Sequence, residues 1–264
     1  MKRTETFALK STRRASRMLK VIPHKTEKEA GITAASIIAE KIRKNPTATL
    51  GLATGSSPIS TYRELIRMCR AGEISFRDIR TVNLDEYFGL APHHQQSYAR
   101  FMREQLFDSI DIDRKNTHIP SGIAEDPIAE CQRYDRLLKS LGPVDIQLLG
   151  IGNNGHIGFN EPSDHFSKTT VFVPLTESTI EANSRFFASP DDVPKWAISM
   201  GIGQILSAKS IILLAFGQSK AKILADALFG PVTPAVPASI LQFYHGDLTV
   251  CTDTDALTEL PKFR

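Results

Sequence analysis

The sequence predicts an α/β protein built on an open, mostly parallel sheet with helices on both faces. Two observations carry this prediction. Short apolar runs of five to eight residues recur along the chain without the alternation of a half-buried strand. Stretches with helical spacing separate them, the pattern of a sheet covered on both sides. Size adds a third: 264 residues, 41% of them hydrophobic, suffice to bury one large core, and no linker, repeat or low-complexity tract divides the body.

Residues 1–17 are basic and lack an apolar stretch long enough for a secretory signal, so a flexible extension is expected there, with one α/β domain over 18–264. Apolar Ala30, Ala34, Ile37, Ile38 and Ile42 recur at helical spacing over Thr26–Lys44, and Thr26 followed by Glu29 has the form of a capping box. TLGLA (49–53) reads as a strand, TGSSP (54–58) as a turn, and Ile59–Ala71 as a helix. IRTVNL (79–84), VDIQLLGI (144–151), SIILLAF (210–216) and LTVCT (248–252) read as further strands. Ala129–Leu141 and Ser219–Phe229 read as helices between them.

Composition excludes several classes of function. The net charge of +3 belongs to the first 17 residues, where six Lys and Arg face Glu5 alone and the net is +5, so the other 247 residues carry −2. A body of that charge gives no nucleic-acid footprint. The longest apolar runs fall far short of a membrane span. Cys69, Cys131 and Cys251 have neither the number nor the spacing of a disulfide framework or zinc ribbon, and they fit a reducing cytoplasm.

In such sheets ligands sit beyond the carboxyl ends of the strands, so the residues just past each strand matter most. After TLGLA, backbone N–H groups of Gly55, Ser56 and Ser57 with the hydroxyls of the turn can hold a phosphate at a helix start; taken alone, the turn equally suits an ordinary strand–helix connection. It lacks the GK[ST] ending of a P-loop. After IRTVNL come Asp85 and Glu86, flanked by Leu84, Tyr87 and Phe88. Solvated, they are ordinary surface acids; partly buried, one of them becomes a general base of raised pKa.

After VDIQLLGI, Gly150, Gly152 and Gly155 form a formal GxGxxG. Gly158 and Pro162 interrupt the helix that a dinucleotide site needs, so the expectation is a Rossmann-like layer fold without such a site. What remains is a glycine-rich loop displaying Asn154, His156, Asn160 and Glu161, candidates for a proton relay, with no metal-ligand spacing beside them. Arg185, beside two aromatics, and Lys220, at a helix start, are either surface charges or the cations for a phosphate at TGSSP.

In this order and spacing, ATGSSP, VNLDEY, LLGIGNNGHIGFNEP, ANSRFF and GQSK resemble the glucosamine-6-phosphate deaminase family, over roughly residues 18–253. The resemblance implies a cytoplasmic enzyme of amino-sugar catabolism that needs no cofactor or metal and couples aldose–ketose isomerisation to loss of ammonia. By motif, Asp85 becomes the base at C2, and His156 opens the pyranose ring with Glu161 tuning its proton. Thr54, Gly55, Ser56, Ser57, Arg185 and Lys220 become the phosphate and substrate contacts. Asn154 stands where many members have Asp, so a relay through an acid at that position is not expected, and Asn154 orients His156 or substrate instead. Val171 and Val173 stand where allosteric members carry basic residues, so activation by N-acetylglucosamine 6-phosphate is not expected, and a monomer or small homo-oligomer is. The partner implied is a small sugar phosphate, with neither nucleic acid nor membrane. Alternatives are a galactosamine-6-phosphate isomerase, a 6-phosphogluconolactonase and a non-catalytic sugar-phosphate sensor. A lactonase has no use for a base at C2, and a sensor needs a DNA-binding segment longer than residues 1–17. Residues 174–194, carrying Arg185, are expected to form a mobile lid over the site.

Overall fold

The computed structural model of the protein describes residues 19–260, so the expectation for residues 1–17 lies outside the described residues. The elements are β1 (Leu19–His24), α1 (Glu27–Lys44), β2 (Thr49–Leu52), α2 (Ile59–Arg70), β3 (Arg80–Asn83), β4 (Asp85–Phe88), α3 (Tyr98–Gln105), β5 (Thr117–His118) and α4 (Pro127–Leu141). After these come β6 (Ile146–Gly150), β7 (Val171–Pro174), α5 (Glu177–Ser184), β8 (Trp196–Ser199), α6 (Ile202–Ile205), β9 (Ser210–Ala215), α7 (Ala221–Phe229) and β10 (Asp247–Asp253). Seven strands form one parallel sheet in the order β1-β10-β9-β6-β2-β3-β5. The predicted fold class is therefore the observed one. Among the described residues no helix is long and apolar enough to cross a membrane.

Alternation along the strands divides the core in two. Leu50, Leu52, Ile146, Leu148, Ile212 and Leu214 face α1, α2 and α3, while Val82, Leu149, Ile211, Leu213, Leu248 and Val250 face α4, α6 and α7. Helix α1 lies on the sheet through Ala30, Ala34, Ile38 and Ile42, all buried. Its cap is half the predicted box: Thr26 Oγ1 accepts from Glu29 N at 3.2 Å, but Glu29 Oε2 accepts from Lys25 N, not from Thr26 N.

Two features depart from the sequence reading. LKVIPH forms an edge strand, β1, where Pro23 costs no central ladder bond. The chain also does not enter a loop after β3. It steps at Leu84 into a second, antiparallel sheet in which β8 lies between β4 and β7. Met200 N, just past β8, donates to Leu84 O at 2.7 Å and fixes the step. This small sheet stands at the carboxyl end of β3 and holds Asp85 over the edge of the large one.

Candidate active site

The order of the large sheet reverses between β2 and β6: the chain proceeds from β2 to β3 and β5 on one side, and from β6 to β9 and β10 on the other. The turn after β2 and the loop after β6 therefore diverge and leave a crevice, the usual ligand position in open α/β sheets. A cavity of about 450 Å³ occupies it, within the range of small-ligand sites. Of the ten residues to which the resemblance gives a part, Thr54, Gly55, Ser56, Ser57, Asp85, Asn154, His156, Arg185 and Lys220 line it. Glu161 is buried behind His156.

One end of the cavity suits an anion. Helix α2 starts at Ile59 as the sequence predicts, with Pro58 at the cap, no side-chain cap bond and no acid in its first turn. The N–H groups of Gly55, Ser56 and Ser57 meet no acceptor among the described residues. An anion there supplies the missing cap and meets the helix dipole. Lys220 faces this end from a short turn, Gln218–Lys220, that precedes α7, and its Nζ donates to Asn153 Oδ1. Burial, with Arg185 nearby, pushes the Lys220 ammonium down to about 8. A negative charge bound beside Lys220 favours its ammonium form again. Arg185 ends α5, its guanidinium 4.7 Å from the Phe186 ring centroid.

Opposite lies Asp85. Successive residues of β4 point to opposite faces, so the adjacent acids separate. Glu86 turns inward and accepts from Tyr98 N at 2.8 Å, Ala99 N at 2.9 Å and Tyr87 N at 2.9 Å, holding the N-terminus of α3. Asp85 turns to the cavity and is 5% exposed. Burial, reinforced by the charge of Glu86, pushes the Asp85 carboxyl up to about 8. Gly158, in the left-handed region (φ +57), lies under it, and a Cβ there would stand 3.3 Å from Asp85 Oδ2. Ser199, paired in register with Asp85, accepts from Phe159 N at 3.0 Å and pins the loop beside the carboxyl.

The loop after β6 presents His156 and Glu161 as a pair. Gly152 N donates to His156 O at 2.9 Å, and any Cβ on Gly152 would stand 2.3 Å from the imidazole, so only glycine permits the ring to fold back here. Glu161 Oε2 lies 3.6 Å from His156 Nδ1 and accepts from Asn154 Nδ2 at 2.7 Å and Thr176 Oγ1 at 3.1 Å. Burial raises the Glu161 carboxyl, but His156, Thr179 and Asn154 outweigh it and hold the group below its ordinary value. Asn154 Oδ1 accepts from His156 N at 3.2 Å, so one amide ties both members of the pair. Asn160 is not displayed as the sequence implied. It is buried, and its Nδ2 donates to Ile157 O and Met200 O, stapling the loop to the end of β8.

Sequence reasoning missed Tyr98, whose ring lines the cavity, stacks on Phe159 (11° between planes) and bonds through its hydroxyl to Thr54. Ser178 and Thr179, on α5, were missed as well. Their signal, hydroxyls just before ANSRFF, has meaning only once that segment is seen over the cavity. Val171 and Val173 lie on the face of the small sheet that bears Asp85 and Tyr87, where Val173 packs against an apolar cluster.

An open parallel sheet with a cationic crevice at its switch point and an acid–base pair opposite defines an α/β enzyme for a small anionic ligand. The chain belongs to the family of glucosamine-6-phosphate isomerases and 6-phosphogluconolactonases, whose model matches residues 23–250. It is 54% identical over 232 residues to the glucosamine-6-phosphate deaminase of Lachnoclostridium phytofermentans, covering 88% of this chain and 98% of that one. A solved structure described as a monomeric glucosamine-6-phosphate deaminase superposes with a TM-score of 0.88 at 48% identity, covering 91% of this chain and 99% of the other. The 6-phosphogluconolactonase of Trypanosoma brucei superposes at 0.71 with 19% identity, over 91% of this chain and 98% of that one, and shares the fold alone.

Proposed function

We propose that the protein converts glucosamine 6-phosphate and water to fructose 6-phosphate and ammonia. The relatives that support this are glucosamine-6-phosphate deaminases of 46–54% identity over most of the chain. The observation that carries it is the buried carboxyl of Asp85, facing a cavity with an anion cradle on one side and the His156–Glu161 pair on the other.

The 6-phosphate binds at Gly55, Ser56 and Ser57 against Arg185 and Lys220, and its charge sets the position of the sugar between them. With a proton on Nδ1 toward Glu161, His156 offers Nε2 to the anomeric hydroxyl. It takes that proton and returns it to the ring oxygen, which opens the pyranose to the aldehyde. Asp85 then removes the C2 proton. The electron pair forms the C1–C2 double bond, and the substrate ammonium gives up one proton as the aldehyde oxygen gains one, giving an enolamine. The carboxyl of Asp85, now protonated, delivers its proton to C1, the nitrogen becomes an imine at C2, and water adds there to release ammonia. Burial suits Asp85 to this work, because a carboxyl raised toward neutrality is a stronger base than a solvated one. The substrate ammonium beside it draws the bound carboxyl back toward its ionised form. Each well-placed acid or base of this kind contributes about 10²–10⁴-fold in rate.

The protein acts in the cytoplasm as a monomer or small homo-oligomer, a reading supported by the monomeric relative. Coupled ammonia release from glucosamine 6-phosphate and galactosamine 6-phosphate, with chelator present and no nucleotide, tests the proposal. Release from the glucosamine epimer is expected. No release, or release only on adding a divalent ion, would overturn it.

A further inference from the structure

Helix α5 begins directly over the His156–Glu161 pair. Its cap residue, Thr176, does not use its hydroxyl on the helix: no side-chain cap bond is made, although Thr at this position ordinarily accepts from an amide of the first turn. The hydroxyl lies 3.1 Å from Glu161 Oε2 and 3.1 Å from Ser178 Oγ instead. Thr179, one turn on and 3% exposed, places Oγ1 3.2 Å from Thr176 Oγ1 and 3.5 Å from His156 Nδ1. A hydroxyl has one proton to give. The ionised carboxylate is the strongest acceptor near Thr176, so that proton goes to Glu161. Thr179 bonds through its own proton to the same carboxylate, and its lone pairs face His156 Nδ1. This arrangement requires the ring proton on Nδ1 and leaves Nε2 bare. The same helix ends at Arg185, its C-cap residue, which lines the anion end of the cavity. Helix α5, eight residues and about 12 Å long, therefore carries the two hydroxyls at its start and a phosphate contact at its end.

We propose that Thr176 and Thr179 are positioning residues for ring opening, fixing the His156 tautomer that accepts the anomeric proton, and that α5 couples this alignment to capture of the phosphate by Arg185. The proposal rests on the deaminase reading. Thr176→Val and Thr179→Val remove the hydroxyls at nearly constant shape, and Thr176→Ser and Thr179→Ser restore them. Three readouts apply: ammonia release from the cyclic substrate, the dissociation constant of an open-chain analogue (2-amino-2-deoxyglucitol 6-phosphate), and the ¹⁵N shifts of His156 in the wild type and variants.

The expected result is a kcat about tenfold lower in the Val variants, an open-chain dissociation constant within about twofold of wild type, and recovery in the Ser variants. The wild-type shifts should place the proton on Nδ1, and Thr179→Val should show a mixture of tautomers. Wild-type kcat in the Val variants overturns the proposal, as does an equal loss of open-chain binding or a wild-type proton on Nε2. Should a Val variant not fold, the wild-type shifts and the Ser variants decide. A wild type that releases no ammonia defeats the deaminase reading instead, and the tautomer measurement still tests the threonine pair.

Discussion

Replacing Asp85 by Asn should make the free protein more stable while abolishing its chemistry, and the gain should depend on pH. The side chain keeps its shape and loses its charge. Burial, with the charge of Glu86, pushes the Asp85 carboxyl from an ordinary 3.8 up to about 8. The folded state thus binds this proton more tightly than the unfolded state. The stability it contributes is whole below the ordinary carboxylate value and is lost as pH rises toward 8. At ~1.4 kcal/mol for each pH unit, the full displacement sets an upper bound of about 6 kcal/mol. Asp85 lines an open cavity, and water reaching the carboxylate reduces this to about 2–3 kcal/mol. Asn carries no such cost at any pH. The Tm of Asp85→Asn should therefore match wild type near pH 4 and exceed it by roughly 5–8 °C at pH 8. Thermal unfolding of both ligand-free proteins at one-unit pH intervals measures the gap. Parallel profiles, or a gap that narrows with rising pH, would refute the buried-base reasoning.

Other parts of the site give separate expectations. Lys220→Met should raise KM roughly 10–100-fold with kcat little changed, the worth of one charge-assisted phosphate bond; unchanged KM would remove Lys220 from the anion site. Because the free ammonium titrates at about 8, wild-type KM should climb above that pH, and Lys220→Arg should flatten the climb. Asn154→Asp would put a second carboxylate where an amide now meets Glu161 Oε2 at 2.7 Å. The pair must then share a proton, and the pH–rate profile should gain an ionisation that the wild type lacks; an unaltered profile counts against the network. Substrate curves should be the same with and without N-acetylglucosamine 6-phosphate, since Val171 and Val173 supply no cation, and a leftward shift would contradict that.

The large sheet was legible because its strands are buried on both faces and read as unbroken apolar runs such as SIILLAF. The small sheet was not: β4, β7 and β8 are four residues each, and β4 finds its partner β8 more than a hundred positions along the chain. Without β4, Asp85 and Glu86 remain an undivided pair of acids; the strand's two-residue period sends one to the cavity and the other to cap α3. Motif and spacing brought nine candidate residues to one cavity and Glu161 just behind its lining. Asn160 looked equivalent to its loop neighbours, yet its amide is consumed by backbone carbonyls. The hydroxyls of Thr176 and Thr179 had no readable meaning in the sequence, because their part depends on where α5 settles.

Hydrogen exchange at C2 tests the central claim, that Asp85 is the base which moves the proton from C2. With wild-type protein in deuterated water, the C2 hydrogen of glucosamine 6-phosphate should exchange with solvent and the fructose 6-phosphate formed should carry deuterium at C1. Asp85→Asn should bind the open-chain analogue and show neither. Exchange at C2 by Asp85→Asn at the wild-type rate would contradict the account and assign the base elsewhere.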